Sequence, residues 1–219
     1  MRKFGPATFR DNAVLNEHFA SNGPLVARGS LSGLSIRVNG PVKVGSNLEI
    51  TERLRVNGPC TIGGSLKSSD EAHVKINGPL FVEGGVQGGS FRVNGPFKAD
   101  SANVFAIYVH GTIDIRADLT AADEISIVLG HAKSKKRIRI GGIISAPYVY
   151  IKDPGSVVDL IPGLRTMKRL LRRNFFPKSK FKLRNLQIKT DFLVLEDVEL
   201  VESKIDAKQI ENRDREYQD

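Results

Sequence analysis

Between Ile36 and Ile62 the apolar residues come in pairs two positions apart, and the pairs recur every six residues: Ile36 and Val38, Val42 and Val44, Leu48 and Ile50, Leu54 and Val56, Cys60 and Ile62. Spacing at i and i+2 is the period of a strand, with both side chains of a pair on one face. A helix would need apolar residues at i, i+3, i+4 and i+7, and the pairs do not fall there. The break after each pair turns the chain. The pattern therefore predicts short strands joined by corners.

A longer period overlies this one. Asn-Gly-Pro occurs at Asn22, Asn39, Asn57, Asn77 and Asn94, with spacings of 17, 18, 20 and 17. A degenerate copy, His110-Gly111-Thr112, occupies the next place in the series. Three six-residue sides make one turn of roughly 18 residues, so the two periods describe one object. A single turn cannot bury its own apolar side chains, but stacked turns bury a continuous core. The prediction is an all-β fold, a three-sided parallel β-helix, with equivalent strands about 4.8 Å apart.

The corner residues have mechanical roles in this scheme. Gly bends the chain through conformations closed to other residues. Pro has no N–H for a ladder and suits a corner or first strand position. Asn at equivalent places on successive turns can bond its amide to the next, as a ladder. Asn22, Asn39, Asn57, Asn77 and Asn94 are the expected rungs, with His110 in the sixth place.

Looser pairs continue the pattern: Ile113 and Ile115, Ile125 and Ile127, Ile138 and Ile140, Val149 and Ile151. A two-residue expansion falls near Ser68–Ala72, and a basic turn spans Lys133 to Arg137. About eight turns fit before Leu160, a rod of roughly 40 Å. The expected organisation is a lead-in over residues 1–20 and the solenoid over 21–161. A basic amphipathic helix and linker over 162–189 comes next, then a terminal coil or strand pair over 190–210 and a disordered tail over 211–219. In the helix, Leu164, Met167, Leu170, Leu171 and Phe175 share one face, and Arg165, Lys168, Arg169, Arg172 and Arg173 mostly cover the other.

Charge changes the picture in one place only. The formal net charge is +9, yet Arg165 to Lys189 alone holds ten Lys and Arg and no Asp or Glu. Basicity thus belongs to a segment, not to the whole chain. Composition agrees with a thin, turn-rich core: Gly is frequent at 21 residues, Trp is absent and aromatics are only 7%. Such a balance is common where tight turns are many and the core is narrow. The single Cys60 can form no internal disulfide and reads as a small buried residue. With no apolar run of spanning length and no signal-peptide pattern, the expected location is cytoplasmic, on or near the inner face of a membrane if the basic segment contacts one.

Six-residue steps, small corners and short aliphatic pairs over roughly 21–160 resemble the bactofilin family of polymer-forming cytoskeletal proteins. The resemblance implies a right-handed β-helix with no cofactor and no nucleotide. It also implies polymerisation through the helix ends, often near a membrane. The physics of open sheet edges points the same way, since an uncovered edge pairs with another chain. The expected function is a self-assembling structural scaffold, not an enzyme. Its partners are further copies of itself and an anionic membrane surface at Arg165, Lys168, Arg169, Arg172 and Arg173, with nucleic acid ranked below the membrane.

Rival readings have identifiable requirements. A β-helix with both ends capped would be a binding module for an anionic surface or nucleic acid. A hexapeptide-repeat acyltransferase shares the six-residue period but needs a histidine base. The candidates are His18, His73, His110 and His131, of which His73 alone follows carboxylates, Asp70 and Glu71. A sugar-cleaving β-helix needs paired acids, for which Asp114, Asp118, Asp123 and Glu124 are available. Gly84-Gly85 and Gly88-Gly89 lack the lysine and helix of a phosphate loop. No metal-ligand spacing is present.

Overall fold

The computed structural model describes residues 2–3, 5–129, 138–153 and 181–213. All regular structure among them is β, and every pair of strands is parallel. The chain winds as a β-solenoid of about ten turns. Strands that are far apart in sequence are neighbours in the sheet, because each pairs with its equivalent one turn away.

Each turn has three faces. The first is a three-residue strand, such as Leu25–Ala27, Val42–Val44, Cys60–Ile62 or Leu80–Val82. The second and third are the two halves of a longer strand, such as Leu31–Val38 or Leu48–Val56. The long strands bend where the register shifts, for instance between Gly33 and Ser35 and between Val104 and Ala106. Two of the expected six-residue sides thus merge into one bent strand, because pairing continues on both flanks of the corner. At Ser69–Ala72 the two-residue expansion splits the strand outright, into Leu66–Ser68 and His73–Ile76. A local turn, Ala72 N–H to Ser69 C=O at 3.1 Å, closes the insertion.

The aliphatic pairs form the core. Ile36, Val38, Leu48, Leu54, Val56, Cys60 and Ile62 are all nearly or fully buried. Register stacks like on like: Ile36 on Leu54 and Val38 on Val56, and then Val74 and Ile76 above them. Each fully buried Val, Leu or Ile contributes about 1.5–3 kcal/mol, so the columns dominate stability. Buried Cys60 sits between Val42 and Leu80 in one such column, and burial pushes its thiol pKa up to about 12. It is a packing residue.

The solenoid is longer at both ends than the sequence pattern suggests. Ala7–Phe9 pairs with Leu25–Ala27 and Ala13–Ser21 with Leu31–Val38, so residues expected to form a lead-in are already a turn. Further along the chain, Phe181–Arg184 pairs with Val198–Val201, and Gln187–Glu196 stacks on Ile143–Lys152. Residues 181–189 are therefore strand and corner rather than linker. The final strand, Lys204–Arg213, carries pairing past residue 210 into the stretch expected to be a tail. The expected helix, with Arg165, Lys168, Arg169, Arg172 and Arg173, lies outside the described residues, as does the basic turn Lys133–Arg137.

Candidate interaction surfaces

The Asn-Gly-Pro corner is a built ladder. Asn39 Nδ2 donates to Asn22 Oδ1 at 2.7 Å, Asn57 to Asn39 at 2.6 Å, Asn77 to Asn57 at 2.7 Å and Asn94 to Asn77 at 2.7 Å. His110 continues the column, since Val93 is in register with Val109. From Gly58 onward the glycines beside it are required by torsion and by proximity alike, with φ of +155° at Gly58 and +151° at Gly78. A Cβ on Gly58 would stand 2.7 Å from the carbonyl oxygen of Gly40, which is backbone and cannot yield. The corner is thus a mechanical seam along the rod.

A second seam runs along the corner before the long strands. Asn12 Oδ1 accepts Ser30 N–H at 2.8 Å, Asn47 Oδ1 accepts Ser65 N–H at 2.9 Å and Asp118 Oδ1 accepts Ile143 N–H at 2.8 Å. These residues share no tripeptide, but Asn12, Ser30, Asn47 and Ser65 recur at spacings of 18, 17 and 18, each directly before an apolar residue.

The fold disperses the residues that a hydrolytic site would need. Asp114 lies on the first face, Asp118 at the next corner, and Asp123 and Glu124 at the corner after that. Three of the four have other neighbours: Asp114 is in register with Lys98 and Arg139, Asp118 bonds backbone, and Glu124 accepts the Tyr108 hydroxyl at 2.7 Å. His110 is a corner residue, and His131 lies outside the described residues. Gly84-Gly85 and Gly88-Gly89 flank or enter the strand Val86–Val93, not a helix. No group of three or more metal-ligating side chains occurs among the described residues.

His18 and His73 do share a surface. They belong to one outward row on the third face, in the order His18, Ser35, Arg53, His73. Both line an open groove of about 1190 Å³ with Arg37, Arg53 and the exposed carboxylates of Glu52, Asp70 and Glu71. The insertion at Ser69–Ala72 supplies two of those acids, so the irregular turn makes the groove's rim.

The neighbouring row on this face was not expected. Ala20, Arg37, Arg55, Lys75, Arg92 and Tyr108 are successive in register, which sets four cations on four adjacent turns. Among the described residues none of the four, nor Arg53 beside them, is ion-paired with a carboxylate. Arg92 lies over the Tyr108 ring at 5.4 Å, and Arg55 keeps a buried Nε without a hydrogen-bond partner. The sequence did hold a signal: Arg-Val, Arg-Val, Lys-Ile and Arg-Val directly precede four of the Asn-Gly-Pro corners.

The far end of the rod has a different character. Lys204–Arg213 is the last strand of the large sheet, paired on one side only among the described residues. Its Ile205 and Ile210 are in register with buried Ile188 and Leu193, yet are 37% and 48% exposed. Core columns therefore end at solvent. No helix among the described residues is long and apolar enough to cross a membrane.

Compared with known proteins, the chain matches no family model, no curated protein and no solved structure.

Proposed function

We propose that the chain is a self-associating structural rod, a scaffold of the bactofilin type, whose copies join through their coil ends. One observation carries the reading: among the described residues, the terminal strand Lys204–Arg213 offers an unpaired edge together with two half-covered core residues, Ile205 and Ile210. An edge of that kind is a template for pairing. A second copy stacked on it would extend both the hydrogen-bond ladder and the apolar columns. The opposite end presents the edge strand Arg2–Lys3 of the same large sheet. Parallel stacking joins unlike ends, and such contacts propagate as filaments. On this reading the protein is a mechanical element that needs no cofactor and works in the cytoplasm. The segment around Arg165–Arg173 then supplies an attachment to an anionic membrane.

The test is negative-stain electron microscopy with light scattering, on wild type and on Ile205→Glu with Ile210→Glu. Filaments a few nanometres wide that disappear in the double variant support end-to-end assembly. Monodisperse wild-type particles at every concentration would refute it and leave a capped binding module.

A further inference from the structure

We propose that the third face of the solenoid binds single-stranded nucleic acid along the row Arg37, Arg55, Lys75 and Arg92, with Arg53 beside it. This surface is separate from the coil ends and does not depend on end-to-end assembly.

The row is a line of positive charge with no direct ion pair among the described residues. Its four cations occupy consecutive turns, so they recur about every 4.8 Å along the rod. None has a carboxylate partner among the described residues. Arg55 and Lys75 are half-buried, and the Nε of Arg55 is shielded from water with no acceptor. Three of the four are Arg, whose planar fork grips two phosphate oxygens at once.

Geometry selects among anions. Glu52, Asp70 and Glu71 are exposed at the rim of the groove that holds Arg37 and Arg53. A planar membrane or a wide duplex would meet those acids as it approached, whereas a thin chain can follow the row. The groups beside the anion then separate the thin chains. Successive phosphates of a strand are spaced much like the same-face carboxylates of an extended peptide, but each sits next to a flat base that can stack, which a run of acidic residues lacks. At the end of the row Arg92 lies over the Tyr108 ring at 5.4 Å, with the Tyr108 hydroxyl held by Glu124, so a base there would stack on the guanidinium plane.

The experiment is fluorescence anisotropy of the full chain with a labelled oligothymidylate across salt concentration. Neutralising four or five phosphates predicts a log–log salt slope of about −3, or roughly a thousandfold weaker binding per tenfold rise in salt. Arg37→Ala and Arg92→Ala should each flatten the slope by about 0.7, while Arg92→Lys should retain it. Circular dichroism checks that each variant is folded. Unchanged slopes in folded alanine variants would overturn the proposal and assign any binding to the basic segment instead. Equal or tighter binding of duplex DNA, of polyglutamate or of phosphatidylserine vesicles would overturn the choice of a single strand. Absence of binding to the oligothymidylate at low salt would overturn it as well.

Discussion

The amide ladder lends itself to a graded test. Asn57 is an inner rung: it donates to Asn39 at 2.6 Å and accepts from Asn77 at 2.7 Å. Asn22 is an end rung, accepting from Asn39 alone among the described residues. A hydrogen bond contributes a net of about 1 kcal/mol, and truncating one partner leaves the other to water at an exposed corner. Asn57→Ala should therefore cost about 1–2 kcal/mol and Asn22→Ala about half as much. In urea unfolding the midpoint should fall in that order at constant m-value, since the exposed surface is unchanged. Asn57→Asp separates bonding from shape. The carboxylate keeps the acceptor for Asn77 but loses the donor to Asn39, and it faces that amide oxygen with a charge. It should be at least as destabilising as Ala. Equal losses for Asn22→Ala and Asn57→Ala would refute the ladder, because the cost would then reflect the corner backbone. A neutral Asn57→Asp would refute it equally.

The other predictions rest on separate features. In Gly78→Ala the new Cβ would stand 2.7 Å from the Gly58 carbonyl oxygen, at a φ of +151°. The substitution should cost about 2–4 kcal/mol in urea unfolding, far above an ordinary Gly-to-Ala exchange. The thiol of Cys60 is fully buried, with its pKa raised to about 12 by desolvation. It should resist thiol reagents at mildly alkaline pH and react stoichiometrically only after denaturation. The Tyr150 phenol pKa is raised by burial and then by its 2.5 Å bond to Glu196, so neutral Tyr150 favours the fold. That contribution is complete below the unfolded pKa of about 10 and is lost as pH rises through the folded value. An ultraviolet titration should show this tyrosine ionising above the ordinary phenol range, and Glu196→Gln should bring it earlier. Phe91 lies in a column between Val74 and Ile107. Phe91→Ala should cost about 3–5 kcal/mol by thermal or urea unfolding.

What the sequence determined by itself was everything local and periodic. Pairs such as Leu54 and Val56 announce strands because side chains alternate across a strand, and a corner every six residues folds three such strands into a turn. Asn39, Asn57 and Asn77 announce a ladder because identical residues one turn apart meet when turns stack. Where the repeat decays, so does its message. The last two turns, with Gln187–Glu196 and Lys204–Arg213, have no Asn-Gly-Pro corner: periodicity marks 190–210 as a terminal coil or strand pair, and pairing with Ile143–Lys152 then shows that it continues the rod. Their exposed Ile205 and Ile210 likewise become informative only when the register shows them to be core positions with one neighbour missing. The basic row is the clearest case of a decision taken by the tertiary structure. Arg37, Arg55, Lys75 and Arg92 are each a full turn of chain apart, too sparse to change any local charge count. The segment Arg165–Lys189 dominates that count, although its charge is merely contiguous. Winding the chain converts distance along the sequence into adjacency across turns, and charges that were scattered become a line.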